Sequence, residues 1–308
     1  MPIVVTIGII GNVLTIIVIA SKNCMHTPVN MYFANLAIAD TLFLITASGY
    51  IWNSYIKSPV IDIYDIGETP KWFCPLITFL ENAGVGVALL TIFWLSVERY
   101  MAICRPFKFK QSGFGTCSRS IKICGIIWFL GLSWNVYFLV GERTLMYELS
   151  WPRIAVDTLP NTFTYCVLRW YEFYVIHWYV TITLTVLMIV IIVALYTAML
   201  MSLRKSRSIA TRSTGREPTS KSEFKVFLTV FVVIVCNAPF YIYVVLFRNG
   251  IAQLNNSPIN IYHLMFYINS SVNPVIYNGM NYNFRRAFYD VYCSRCSRKK
   301  NIHTNVQI

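Results

Sequence analysis

Leu90–Pro106 reads LTIFWLSVERYMAICRP, an apolar helical run that stops abruptly on Glu98-Arg99-Tyr100 and then Cys104-Arg105-Pro106. An acid beside an arginine at the end of so apolar a run is costly if it faces lipid, and inside a membrane such charges mark function by default. An ordinary helix end, with its charges among headgroups, would read the same way taken alone. The choice turns on whether the rest of the chain builds a spanning bundle around this run.

Composition favours the bundle. Of 308 residues, 56% are hydrophobic and 13% charged, against about 25% charged in an ordinary soluble domain. Trp and Tyr gather near the ends of the apolar runs, as interfacial belts require. A net charge of +13 on a soluble surface would suggest nucleic acid. Here the basic residues cluster between apolar runs, which points to a membrane surface and away from nucleic acid. Nine cysteines in a chain this long are too dispersed for a small disulfide scaffold.

Seven apolar runs reach the length of about 20 residues that a bilayer demands. They are Pro2–Ala20, Val29–Tyr55, Phe73–Ile103, Ile121–Val140, Phe173–Leu203, Phe224–Phe247 and Ile259–Met280. The fold expected is an all-α membrane protein, a seven-transmembrane helix bundle over residues 1–292 with a basic tail over 293–308. Gly11-Asn12 interrupts the first run and no basic leader precedes it, so it reads as a spanning helix and not a secretory signal. Almost nothing precedes that run, so either the outer N-terminal segment is tiny or the chain is truncated. Within 282–292, Phe284, Ala287, Phe288 and Val291 repeat at helical spacing opposite Arg285 and Arg286. That pattern predicts a short amphipathic helix on the inner leaflet.

Lysine and arginine placement orients the bundle. The links at 22–28, 104–122, 204–225 and 281–308 hold 19 of the 26 basic residues. Asp62, Asp65, Glu68, Glu142, Glu148, Asp157 and Glu172 fall on the other side. The N-terminus is expected outside and the C-terminus in the cytoplasm. The basic, Ser- and Thr-rich stretch Arg204–Lys221 should be solvated, with helix extending in from both neighbours.

Seven helices closed on the third by Glu98-Arg99-Tyr100 resemble the rhodopsin-like (class A) G-protein-coupled receptors. The resemblance covers nearly the whole chain. It rests on Gly11-Asn12, Leu36-Ala37-Ile38-Ala39-Asp40, Trp128, Pro239, Asn273-Pro274-Val275-Ile276-Tyr277 and the following Phe284, in that order. The stretch RWYEFYVIHWY at Arg169–Tyr179, with VCNAP and INSSVNPVIY, looks like invertebrate neuropeptide receptors of the FMRFamide-receptor type. Three positions depart from the family pattern: Asn237 stands where most members have tryptophan, Met188 replaces a proline, and Thr219 replaces an acid that locks the arginine.

The resemblance implies a plasma-membrane receptor that activates heterotrimeric G proteins through the end bearing Arg99. Arg99 should pair with Glu98 at rest and turn toward Tyr196 and Tyr277 on activation, and without an acid at Thr219 the resting lock should be weak. Pro239 and Pro274 each remove a backbone hydrogen bond and should bend their helices. In the family, Cys74 and Cys166 stand at two positions joined by a disulfide. Cys293 and Cys296 follow the surface helix beside basic residues, a setting for palmitoylation or for unmodified thiols.

Glu81 and Arg99 lie 18 residues apart on the third run, five whole turns and about 27 Å along one face. Glu81 can therefore face an outer cavity and hold a cationic ligand group, or pair internally. Asn82, Phe240, Tyr241, His263 and Tyr267 are expected beside it. The ligand expected is an extracellular neuropeptide, with an Arg-Phe-amide ending as one case, or alternatively a biogenic amine or other small cation. Asp40, Asn269, Ser270 and Asn273 offer oxygens suited to a hard monovalent cation, with a sodium-free polar network equally open; Ala88 replaces the serine the family places there. No other cofactor is expected. Asn255-Asn256-Ser257 is a glycosylation sequon, weakened by Pro258. No hydrolytic motif marks an enzyme, no lysine in the last run would hold retinal, and no charge rings or half-helices mark a channel or transporter.

Overall fold

The apolar runs fold as helices, and their ends differ from the sequence reading in instructive ways. In the computed structural model, residues 2–57, 70–148, 162–214, 221–248, 256–280 and 282–292 are described. Helices α1 (Pro2–Ser21), α2 (Pro28–Lys57) and α3 (Phe73–Cys104) match the first three runs closely. The fourth run begins earlier, as α5 (Cys117–Gly141), and the fifth runs well past its apolar part, as α6 (Tyr171–Thr214). Helices α7 (Lys221–Arg248), α8 (Asn256–Met280) and α9 (Tyr282–Tyr292) complete the order. Among the described residues, five of these (α1, α2, α3, α5 and α6) carry stretches long and apolar enough to cross a membrane. The extra turns of α6 are polar, and helix propagates through them because the sequence offers no glycine or proline before Gly215.

Besides a short 3-10 turn at Asn23–Met25, two features were not expected. Helix α4 (Pro106–Gln111) fills the link after Arg105. Pro106 begins it, where a missing N–H costs nothing. Gly113 and Gly115 leave it at φ 70° and 84°, a left-handed geometry that glycine adopts without strain. Phe114 then stacks on Phe109, and the Arg119 guanidinium lies 3.8 Å over the Phe114 ring.

The second is a hairpin between α5 and α6. Strand β1 (Glu142–Glu148) pairs antiparallel with β2 (Thr162–Leu168), with Thr144 opposite Cys166. The β2 sequence TFTYCVL is rich in β-branched and aromatic residues, which fit a pleated ribbon. Cys166 is bonded to Cys74 at the start of α3, as the family pairing implied, and this ties the ribbon down on the bundle.

Helix α3 packs against α2, α5 and α6, and α1 packs against α2 and α8. Asn35 joins three of these helices, because its amide donates to Thr91 Oγ1 at 2.7 Å and its oxygen accepts from Trp128 Nε1 at 2.8 Å. Gly131 lets α5 approach α3, since a Cβ there would sit 2.6 Å from Val87 Cγ2. Large apolar residues such as Ile7, Phe129 and Val190 remain exposed, as lipid-facing positions of a membrane bundle must. The surface helix has the two faces expected: Phe284 and Ala287 are buried, while Arg285 and Arg286 are exposed.

Candidate functional site

Under the hairpin lies a cavity of about 490 Å³. Glu81 and Asn82 enter it from α3, Phe240 and Tyr241 from α7, and His263 from α8. These are five of the six residues expected there. Tyr267 is the exception. It is 1% exposed and packs with its ring 5.9 Å from Phe43, one layer behind the wall. It shares a helical stripe with His263, but one turn deeper Phe43 of α2 closes over that stripe. Asn82 turns its amide back onto Thr78 O at 2.8 Å. Glu81 makes no hydrogen bond or ion pair among the described residues.

The other wall went unread in the sequence. His177 of α6 stacks on Trp134 and Tyr137 of α5 at 5.0 and 5.9 Å, and Trp134 Nε1 donates to Thr181 Oγ1 at 2.9 Å. His177 lines the cavity with Trp134 and Trp178. The more consequential omission is Glu142. As the first residue of β1 it turns under the ribbon into the same cavity as Glu81. Burial pushes the Glu142 carboxyl up to about 7, against a hydrogen bond with Thr78 and with the help of the Glu81 charge. Its Oε2 is buried and has no hydrogen-bond partner among the described residues. Only the hairpin reveals this, because in sequence Glu142 is one loop acid among several.

A second polar cluster sits deeper, at the middle of α2 and α8. Asn273 Nδ2 donates to Asp40 Oδ2 at 2.8 Å, and Ser270 faces the same carboxylate. Asn12 donates to Ser270 O at 2.9 Å, which closes the cluster from α1. The Asn269 Oδ1 is buried without a hydrogen-bond partner among the described residues. A carboxylate, a hydroxyl and an orphaned amide oxygen together fit a hard monovalent cation. Asp40, Ser270, Asn273 and Asn269 would hold it, and it would supply positive charge to a buried acid.

At the opposite end of α3, the Glu98 charge acts on Arg99, but no close ion pair links the two among the described residues. Neighbouring residues on a helix point in different directions, so adjacency in sequence works against the pairing. Glu98 is buried and faces Tyr32 of α2, whose hydroxyl accepts from Trp94 Nε1 at 3.2 Å. Tyr196 of α6 reaches Ser96 at 3.2 Å, one turn before Arg99. Tyr100 is half-buried beside them. Pro239 and Pro274 stand inside α7 and α8. The side chain of Tyr277, and Thr219, Asn255, Cys293 and Cys296, lie outside the described residues.

A helix bundle with a ligand-sized cavity at one end, and a buried acid beside a half-buried arginine at the other, is the arrangement of a seven-helix receptor. Residues 11–277 match the family "7 transmembrane receptor (rhodopsin family)", and the chain belongs to it. It is a class A G-protein-coupled receptor, a multi-pass plasma-membrane protein and not an enzyme. The chain is 30% identical to human neuromedin-U receptor 2, over 94% of its own length and 69% of that protein. Mouse neuromedin-U receptor 2 and rat somatostatin receptor type 4 are each 26% identical, over 94% of this chain and 73% and 71% of theirs.

Proposed function

We propose that this receptor takes up a cationic neuropeptide in the cavity under the hairpin, from outside the cell. Binding there activates heterotrimeric G proteins through Glu98-Arg99-Tyr100 at the cytoplasmic end. One observation carries the reading: Glu81 is an acid without a partner in a cavity whose described lining contains no lysine or arginine. A buried acid of this kind needs a counter-charge, and the ligand is its natural source. Aromatic walls supply contact area, and the acid supplies orientation. The relatives named for neuromedin U and somatostatin support a peptide. The acidic outer loop and the Arg169–Tyr179 run support a basic one, with an Arg-Phe-amide ending as the first candidate.

A second reading is a biogenic amine or other small cation held by Glu81 alone. The cavity volume favours it, since about 490 Å³ is within the range of small-ligand sites. The cluster at Asp40 is further proposed to hold sodium, and Cys293 and Cys296 to carry palmitate. A screen of amidated peptides and amines on cells reporting calcium and cyclic AMP tests the ligand class. With the agonist found, Glu81→Gln should weaken potency about thirtyfold or more. Unchanged potency would remove Glu81 from the ligand site.

A further inference from the structure

We propose that the cavity is built for a ligand bearing two positive charges, one held by Glu81 and the other by Glu142. The inference deepens the cationic-ligand reading above and rests on it. Two carboxylates from different elements, one on a transmembrane helix and one on the hairpin, converge on a single enclosed space. Neither is neutralised by a basic side chain among the described residues. Glu81 has no partner among the described residues, and Oε2 of Glu142 is buried without one.

The groups facing Glu142 are Glu81 and Thr78 on α3 and Tyr137 on α5, with Tyr241, His177 and His263 across the cavity. None of these is lysine or arginine, and Arg143 and Arg169 of the hairpin are exposed. A monocation would leave one of the two carboxyls without a charged partner, so that it must keep its proton or stand as a buried charge. A dication satisfies both. Arginine is the better of the two basic side chains here, because its planar fork bonds carboxylates in pairs and stacks on rings such as Trp134 and His177.

In the unliganded receptor Glu142, whose carboxyl burial raises to about 7, holds a proton for part of the time at neutral pH. A second cation displaces that proton. Affinity for a dication should therefore rise with pH.

The test uses the full chain in lipid nanodiscs and three N-acetylated, amidated tripeptides. Arg-Arg-Phe carries two charges, while citrulline-Arg-Phe and Arg-citrulline-Phe carry one each. Affinity is read from thermal stabilisation against concentration. On the wild type the double arginine should bind about thirtyfold tighter than either citrulline peptide. Its affinity should fall about tenfold from pH 8 to pH 6, as one group of pKa near 7 takes up a proton. Glu142→Gln should erase the preference and reduce the pH dependence while keeping monocation binding. A retained preference in E142Q, or no stabilisation of the wild type by the double arginine, overturns the proposal. Loss in E81Q with none in E142Q leaves the single-cation reading standing and removes this one. No loss in either removes both.

Discussion

Asn273 Nδ2 donates to Asp40 Oδ2 at 2.8 Å, and both residues are buried. This bond ties α8 to α2, beside a second hydrogen bond to the carboxylate from Ser270. Asn273→Ala leaves it short of a donor, at about 1–3 kcal/mol, and should lower the melting temperature of the purified receptor. Sodium chloride should stabilise the ligand-free wild type more than choline chloride does, and Asp40→Asn should abolish the difference. Equal effects of the two salts on the wild type would rule out the cation.

Glu142 links ligand-free stability to pH. Its carboxyl is raised from 4.5 to about 7, so the folded state binds the proton more tightly than the unfolded chain. The resulting stabilisation is present in acid and is lost as pH rises from 4.5 through about 7. Glu142→Gln should therefore melt higher than the wild type at pH 8 and equally near pH 5. A constant gap across that range would mean that the carboxyl is not perturbed.

Asn35 makes two hydrogen bonds that join α2 to α3 and α5. Asn35→Ala removes both and strands the Trp128 indole N–H, a loss of about 2–4 kcal/mol. Thermal unfolding should show it as a shift of several degrees, with no change in pH dependence.

Gly131 is in contact with Val87 and also lines the cavity. Gly131→Ala drives a methyl to within 2.6 Å of Val87 Cγ2 and should destabilise by about 1–3 kcal/mol. Adding Val87→Ala should recover part of that loss. Additive losses in the double variant would place the strain elsewhere.

Arg99→Ala should abolish agonist-driven signalling in the calcium and cyclic AMP assays while agonist affinity stays within about threefold. With threonine at position 219 the wild type should signal detectably without ligand. Ligand-free output equal to that of untransfected cells would contradict the weak lock.

Much of the fold was legible because spanning helices announce themselves as long apolar runs. Cys74–Cys166 was legible only through the family resemblance, since spacing alone cannot pair cysteines. The hairpin was not legible: its strands are seven residues each with no clean alternation, and their stability comes from the disulfide and from the bundle beneath. Glu142 was hidden for the same reason, because its role depends on a fold-back that local sequence does not encode. Tyr267 shows the opposite failure. Helical periodicity put it correctly on the face of His263, but depth along that face depends on a ring from another helix. Glu98 shows a third. Adjacency in sequence points to Arg99, which the Glu98 charge does reach, whereas its hydrogen bond goes to Tyr32 of another helix.

Helix α6 runs for 44 residues, about 66 Å at the usual rise and roughly twice the thickness of the hydrocarbon layer. Its first turns line the cavity under the hairpin and its last turns lie beyond the apolar part. Such a rod works as a lever with a long far arm: one degree of tilt about its ligand-side end sweeps the distant tip by about 1 Å. A rearrangement at Tyr174 or His177 too small to alter the cavity's shape would still displace whatever protein rests against that tip.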